Sequence, residues 1–219
     1  MRNGLKSNDF LSEREPLLRP WIKKLGPIKF RVPRTGPQAE LYPALLRAIA
    51  HQQLHAKAAA TILGRFYSLY GGVEIPNPKL VVKTSIEKLR GVGFSQNKAL
   101  AILDIARHRL EGKIPLRAQS EKISDQALIE MLTQIRGVGP WTVQMLLIFT
   151  LGRKDVWPTS DFGVQKGAQI AFALRSMPNP KRLAVLGEPL SPHRTTAALL
   201  MWKIADFKNT SSRAQADQS

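Results

Sequence analysis

The sequence predicts an all-α protein. Apolar residues recur at helical spacing along most of the 219 residues, and short stretches of Gly, Pro, Ser and Thr separate the runs. Only one short stretch, IKFRV near residue 30, competes as a strand. With 43% hydrophobic residues, the chain can form the core of one large domain or of two small lobes.

Start and stop signals place the helices in the first part of the chain. A long Ala-rich apolar run, 40–71, is expected to be one helix that stops at the Gly71-Gly72 pair. A short helix opens at Asn77-Pro78 and extends to Leu80. Ser95 is then the expected N-cap of a helix that buries Ala99, Ile102, Leu103 and Ala106 on one face.

The same signals continue to the end of the chain. Ser124 is the expected cap of a helix with a buried stripe of Leu128, Leu132 and Ile135, and Pro140 fits the first turn of the next helix. A further helix covers about 162–174, and TTAALLMWKIADF is a last buried helix. The segments GKIPLRAQS and SMPNPKRLAVLGEPLSPHR are expected to be irregular, and the polar tail 208–219 to be disordered.

The charge of the chain limits its partners. A formal net charge of +17 favours an anionic partner, and nucleic acid is the first candidate because clustered Lys and Arg release phosphate counterions. A generic basic protein is the plainer alternative. The absence of cysteine excludes disulfides, thiolate zinc sites and Cys-ligated iron–sulfur clusters. No apolar stretch is long enough for a bilayer and no signal core begins the chain, so an intracellular protein is expected.

The tetrapeptide Arg-Gly-Val-Gly occurs twice, at 90–93 and 136–139. In each copy the first glycine can end a helix in the left-handed conformation, and the next helix starts with unpaired amides and the positive end of its dipole outward. Such a turn can hold a phosphate without reading the base sequence. On these grounds both copies qualify, and a tight turn between packed helices is an equal alternative.

The second copy is part of a larger pattern. LTQIRGVGPWTVQMLLIF followed by KDVWPTSDFGVQKG resembles the hairpin, Gly/Pro-rich loop and aspartate of the helix-hairpin-helix (HhH-GPD) DNA glycosylase superfamily, and Asp161 follows Gly139 by 22 residues. AIAHQQLHAKAAATI, EKLRGVGFSQNKALAILDIA and SPHRTTAALLMWKI are similar to further segments of its 3-methyladenine DNA glycosylase II branch. The resemblance covers about residues 41–207.

The resemblance implies two helical lobes with a central DNA-binding cleft. The central barrel lobe is expected at 40–153, with the hairpin near 131–150. The second lobe is expected to be discontinuous, formed by 1–39 and 154–219, and to carry the catalytic aspartate.

Asp161 is the expected catalytic residue, because it matches the family's catalytic aspartate. Breaking an N-glycosidic bond builds positive charge on the sugar, and a carboxylate beside C1′ stabilises that charge and can orient a water. Two alternatives stay open: Asp161 only caps the helix that begins at Phe162, or Asp155 is the acid.

Trp141 stands where bifunctional members of the superfamily carry a Schiff-base lysine, so a monofunctional enzyme is expected. By the same resemblance, an aromatic base pocket includes Trp141 and Trp202, and Met145 replaces a tyrosine of some relatives. Such a pocket suits a cationic alkylated purine. Trp202 is equally compatible with a core position.

The remaining site residues follow from the family's register. Gln53 is the expected minor-groove plug, with Leu54 and His55 beside it, although a polar plug is unusual. The expected phosphate contacts of the hairpin are the amides near Gly137, Gly139, Trp141 and Thr142. A structural Na⁺ or K⁺ on the backbone carbonyls of Thr133, Ile135 and Val138 is implied as well, and no other cofactor is expected.

The expected function is hydrolytic excision of alkylated purines, of the 3-methyladenine type, from duplex DNA in base excision repair. The expected partner is DNA containing alkylated or abasic nucleotides, bound by a monomer in the cytoplasm and nucleoid, or in the nucleus of a eukaryote. The alternatives are another damaged base on the same scaffold, such as ethenoadenine or a deaminated base, a noncatalytic helix-hairpin-helix DNA-binding protein, and a ribosomal or RNA-binding protein, which also fits the charge.

Overall fold

The computed structural model describes residues 2–32 and 35–216, and for 2–6 and 209–216 it describes the backbone alone. Over these residues the chain forms thirteen α-helices and no strand. The helices are α1 (Arg2–Arg14), α2 (Arg19–Leu25), α3 (Leu41–His51), α4 (Ala56–Ser68), α5 (Pro78–Val81), α6 (Ile86–Gly91), α7 (Gln96–Leu110), α8 (Arg117–Ser120), α9 (Asp125–Leu132), α10 (Pro140–Leu146), α11 (Phe162–Ala171), α12 (Pro180–Gly187) and α13 (Arg194–Ala216). Short 3-10 turns lie at Pro16–Leu18, Pro37–Ala39 and Glu188–Leu190, and a π-helical turn, Leu147–Leu151, continues α10.

The all-α prediction is confirmed, and the stretch IKFRV (28–32) has no regular secondary structure. Within the described ranges, a helix of the length and hydropathy needed to span a bilayer does not occur.

The predicted start signals operate as helix caps. Ser95 Oγ accepts a hydrogen bond from the Lys98 amide at 3.4 Å, and Ser124 Oγ accepts one from the Ala127 amide at 3.2 Å. Pro140 occupies the first turn of α10, where its missing N–H removes no intrahelical bond.

The long run predicted as one helix is interrupted at residues 52–55. α3 ends at His51 and α4 begins at Ala56, and between them Gln53 has a φ of 55°, in the left-handed region. No glycine or proline marks this interruption, so local propensity does not reveal it. Contacts from α7 and from the turn before α10 stabilise it.

Two segments that were predicted to be irregular contain helices, so those two predictions were wrong. α12 begins at Pro180 after Asn179, whose Oδ1 accepts the Arg182 amide at 2.9 Å, but the surrounding prolines obscured this start signal. α8 is a single turn within the predicted loop.

The end of the last helix was also predicted too early. The backbone stays helical to Ala216 rather than ending near Phe207, because residues 208–216 contain no glycine or proline to end the helix. Residues 217–219 of the predicted tail lie outside the described residues.

The chain divides into a continuous unit, Val32–Gly152, and a discontinuous unit, Met1–Arg31 with Arg153–Ser219. The first boundary lies eight residues before the predicted start at 40. The reason is local packing: the Pro37–Ala39 turn contacts α3 and the π-helical turn, and Ala39 is fully buried.

In the continuous unit, α7 is the central helix and packs against α3, α5 and α6. Ala99, Ile102 and Ala106 are buried as predicted, whereas Leu103 is half-buried. A fully buried Leu or Ile contributes roughly 1.5–3 kcal/mol. The buried face of α7 therefore stabilises the part of the unit from which the turns after α6 and α9 extend.

In the discontinuous unit, α11 packs closely along α13. Gly167 faces the main-chain carbonyl of Met201, and a Cβ at 167 would overlap with it. One turn earlier, a Cβ at Gly163 would lie 2.5 Å from Cδ1 of Trp202. The two glycines thus let α13 approach α11 and bring the indole of Trp202 to the start of α11.

Candidate functional site

Asp161 is the N-cap of α11 and is 9% exposed. Its Oδ1 accepts two hydrogen bonds, from the Val164 amide at 2.8 Å and from Trp202 Nε1 at 2.7 Å. The first bond is a helix cap. The second comes from the indole of Trp202, which can approach because glycines replace larger side chains on the facing side of α11. The carboxylate is therefore held in one orientation by donors from two helices of its own unit.

Asp155, the alternative acid, forms a structural ion pair. Its two carboxylate oxygens accept from Arg194 Nε and Nη2, each at 2.8 Å, and Oδ2 also accepts from Ser191 Oγ at 2.8 Å. Burial alone would raise the pKa of Asp155, but these hydrogen bonds outweigh it and lower the pKa below its ordinary value. Asp155 ties the connector between the π-helical turn and α11 (residues 152–161) to the start of α13, which favours Asp161 as the reactive carboxylate.

The two Arg-Gly-Val-Gly turns differ in backbone conformation. In the first copy, α6 ends at Gly91, and Gly93 has a φ of 115° with its α-carbon against α4, where a Cβ would lie 2.9 Å from Ile62 Cγ1. In the second copy, it is Gly137 that has a positive φ, of 74°, while Gly139 has an ordinary φ of −96° and caps α10. The shared letters therefore do not encode the same turn.

The glycines of the second copy also differ in their surroundings. A Cβ at Gly137 would lie 3.4 Å from both Ala101 of α7 and Ile49 of α3, so Gly137 sits where these helices meet the turn. A Cβ at Gly139 would meet no atom of the described residues within 4 Å. Neither conformation nor internal packing requires glycine at 139.

The turn before α10 is attached to α7 through Arg136. Its amide donates to Asp104 Oδ2 at 2.8 Å, and its Nη2 donates to Asn97 Oδ1 at 3.2 Å. Burial would raise the pKa of Asp104, but hydrogen bonds from this amide and from Arg107 lower it overall. Asp104, which follows the first Arg-Gly-Val-Gly turn in sequence, thus supports the second one.

The predicted minor-groove residues lie in the segment 52–55 between α3 and α4. Gln53, Leu54 and His55 are all exposed, Leu54 by 41%. Lys98 Nζ donates to the carbonyls of Ala50 and Gln52 before them, at 2.9 and 2.6 Å.

A pocket of about 720 Å³ in the continuous unit brings four of the predicted residues together: Gln53, Trp141, Thr142 and Met145. Trp141 is 45% exposed although it is a large aromatic side chain. Trp202 lies in the other unit, where its side chain is half-buried beside Asp161.

The same pocket contains residues that the sequence did not single out. Phe149, 45% exposed, follows Trp141 and Met145 at four-residue intervals, so the helical period was an available signal. Arg47 and Gln38 also line it, without a comparable signal. In the other unit, Phe162 is 69% exposed directly after Asp161.

The remaining predicted positions lie on the turn. Thr142, in the first turn of α10, is 5% exposed and lines the pocket next to Trp141. The predicted cation carbonyls belong to residues between α9 and α10, and that of Ile135 accepts the Val138 amide at 3.1 Å. Among the described residues, no group of His, Cys, Asp and Glu side chains has the arrangement of a metal site.

Comparisons with known proteins agree with this architecture. Residues 46–192 match the family described as HhH-GPD superfamily base excision DNA repair protein. The chain is 39% identical to DNA-3-methyladenine glycosylase 1 of Schizosaccharomyces pombe over 85% of its own length and 82% of that protein. It superposes with a TM-score of 0.77 on the S. pombe 3-methyladenine DNA glycosylase in complex with abasic DNA, at 37% identity, covering 90% of this chain and 95% of the other. A DNA-3-methyladenine glycosidase from Bacillus halodurans gives a TM-score of 0.79 at 30% identity, covering 91% and 88%.

Proposed function

Because the chain belongs to the HhH-GPD superfamily of base excision DNA repair proteins, we propose that it is a DNA glycosylase that excises alkylated purines of the 3-methyladenine type from duplex DNA. The observation that carries the proposal is Asp161, a nearly buried carboxylate fixed by Val164 N and Trp202 Nε1. The relatives of this chain are named as glycosylases or glycosidases of 3-methyladenine in DNA, the same class of base.

The proposed reaction is hydrolysis of the bond between C1′ and the purine nitrogen. The target nucleotide leaves the stack, since the bond cannot be reached inside the duplex. The bond breaks and its electron pair leaves with the base, which is already cationic when alkylated at N3 or N7. Positive charge then develops on the sugar, the Asp161 carboxylate stabilises it, and a water adds its oxygen to C1′ while its proton passes to the carboxylate or to solvent.

The products are a free base and an abasic site, with the strand intact. Trp141 has no amine to attack C1′, so no imine forms at that position. A second lysine to consider as the amine, Lys166, lies one turn into α11 and donates to Gln169 Oε1 at 3.0 Å. A monofunctional enzyme follows from these two residues.

Recognition of the damaged base is assigned to the aromatic pocket. The faces of Trp141 and Phe149 offer cation–π contacts that favour a cationic purine over a neutral one. In the discontinuous unit, Trp202 is held beside the reacting carboxylate by its hydrogen bond, and its part in base recognition stays an expectation from the family resemblance.

DNA binding is assigned to two parts of the continuous unit. The amides of Gly137, Gly139, Trp141 and Thr142 bind backbone phosphates. The exposed residues Gln53, Leu54 and His55 enter the minor groove, where Gln53 fills the gap left by the flipped nucleotide. The protein acts as a monomer on chromosomal DNA, in the nucleoid or the nucleus.

A monovalent cation on the turn is a further part of this proposal. Carbonyls at the end of a helix lack intrahelical partners, and Thr133 follows the last residue of α9 directly. Carbonyl oxygens suit Na⁺ or K⁺, and such an ion would add a positive charge near the bound phosphate. We expect tighter DNA binding in KCl or NaCl than in tetramethylammonium chloride at the same ionic strength, measured by fluorescence anisotropy. Equal affinity in the three salts would contradict it.

Mass spectrometry of bases released from methylated DNA tests the function itself. We expect 3-methyladenine in excess over unmodified purines, and no strand break until the product is heated or treated with alkali. Release of ethenoadenine or a deaminated base in place of 3-methyladenine, from matched substrates, would favour the alternative specificity. Binding without release of any base would favour the noncatalytic protein.

A further inference from the structure

Lys98 is at an unfavourable position in its own helix. It lies in the first turn of α7, where the helix dipole disfavours a cation. Its ammonium is partly buried, and this burial lowers the pKa of Lys98 below its ordinary value. Both the position near the helix N-terminus and the burial of the charge are unfavourable for a lysine, so tertiary contacts must compensate for them.

Those contacts are at the end of another helix. Lys98 Nζ donates to the carbonyls of Ala50 at 2.9 Å and Gln52 at 2.6 Å. Ala50 lies in the last turn of α3 and Gln52 is the residue that caps its C-terminus, so both carbonyls lie at the negative end of the helix dipole, where intrahelical partners are lacking. Lys98 therefore caps α3 from outside and fixes the point at which the chain leaves the helix.

Gln52 connects the same point to the turn before α10. Its side-chain Nε2 donates to the carbonyl of Gly137 at 3.0 Å, while its own carbonyl accepts from Lys98. The next residue, Gln53, has a φ of 55°, in the left-handed region, which is unfavourable for a residue other than glycine. The two hydrogen bonds of Gln52 are positioned to offset this cost.

α7 thus holds both parts that the proposed function assigns to DNA. At its start, Lys98 holds the segment 52–55, and along its length Asn97 and Asp104 hold Arg136 of the turn. In addition, the side chain of Gln52 joins that segment directly to the turn, through its hydrogen bond to the carbonyl of Gly137.

We propose that Lys98 and Gln52 are positioning residues that hold Gln53 at a fixed place relative to the phosphate-binding turn. When the turn docks on the DNA backbone, Gln53 is already set to enter the stack beside the damaged nucleotide. The inference rests on the proposed function, and it assigns Lys98 no contact with the base or the sugar.

Lys98→Met separates positioning from DNA binding, because methionine keeps an unbranched side chain and removes the donors. We expect the single-turnover rate of 3-methyladenine release to fall by about 10- to 100-fold, as for a reacting group misplaced by about 1 Å. Affinity for undamaged duplex should stay close to that of the wild type, because the turn is intact. Fluorescence of a 2-aminopurine next to the lesion should show less unstacking.

Rescue of the ammonium group is possible because the chain has no cysteine. In Lys98→Cys, the single thiolate displaces bromide from 2-bromoethylamine and forms a thioether that ends in an ammonium at nearly the length of lysine. We expect the alkylated variant to regain most of the lost release rate and of the 2-aminopurine signal. Wild-type protein treated in the same way should not change.

Tyr70→Phe is the matched control for lost stability. It removes the 2.8 Å hydrogen bond between Tyr70 and Thr84 elsewhere in the same unit. The proposal is overturned if Lys98→Met slows release no more than this control, if it weakens binding to undamaged duplex by the same factor as release, or if alkylation restores nothing. The 2-aminopurine readout needs no bond cleavage, so a wild type that unstacks the probe but releases no base would contradict the proposed function and leave the positioning result standing.

Discussion

Asp161→Asn is expected to lower the release of 3-methyladenine by at least about 100-fold, the range seen when a charge-stabilising or proton-accepting group is removed. Asparagine retains an oxygen that accepts from Val164 N and Trp202 Nε1, and it is as good an N-cap as aspartate. The substitution therefore removes the negative charge and leaves the cap. Release of labelled base under single-turnover conditions measures the effect.

Two measurements make this result specific. Binding to a duplex that contains a tetrahydrofuran abasic analogue should survive Asp161→Asn, and the melting temperature should change little. Normal release by the variant would refute the catalytic assignment and would leave Asp161 as a cap alone.

Asp155→Asn is the matched control from the same connector. It weakens the ion pair with Arg194, so we expect a lower melting temperature with nearly normal release per folded molecule. The folded-state pKa of Asp155 is lowered, so its stabilising effect is present above the ordinary Asp pKa of about 3.9 and is lost as the pH falls through the folded value. The difference in melting temperature between wild type and variant should therefore shrink in acid. A control that loses release as completely as Asp161→Asn would contradict the choice between the two aspartates.

The sequence predicted these parts to different extents. Helix starts were predictable where a side chain caps its own helix, as Ser95 and Ser124 do, since such caps are local. The interruption at Gln53 was not, because it depends on Lys98, 45 residues further along the chain, and on Gly137, 84 residues away. Long-range hydrogen bonds of this kind leave no mark on local propensity.

The candidate site divides in the same way. Asp161 was identified through the family resemblance, which has turn, connector and aspartate in this order. Its hydrogen bond from Trp202 depends on the missing side chain at Gly163 of α11. Phe149 was accessible to a periodicity argument, because it continues the spacing of Trp141 and Met145. Phe162 was not, since its 69% exposure follows from tertiary packing.

The two Arg-Gly-Val-Gly turns lead to the second large effect. Gly139→Ala should weaken binding to duplex DNA by about 10- to 100-fold, the loss of one or two hydrogen bonds to a charged group. The reason is steric: the space at Gly139 is open within the protein, so a methyl group there meets only what approaches from outside, and a phosphate must approach closely to reach the amides of α10. Because φ at 139 is ordinary, the fold itself should tolerate alanine.

Gly91→Ala is the control within the first copy, since a Cβ at Gly91 also meets nothing within 4 Å and its backbone is helical. We expect normal DNA affinity and equal or slightly higher stability. Gly93 and Gly137 are unsuitable for this comparison, because both have positive φ and alanine there would strain the fold. Fluorescence anisotropy with the same duplex and salt compares the variants. If Gly91→Ala and Gly139→Ala bind DNA equally well, the turn before α10 is only a connection between packed helices.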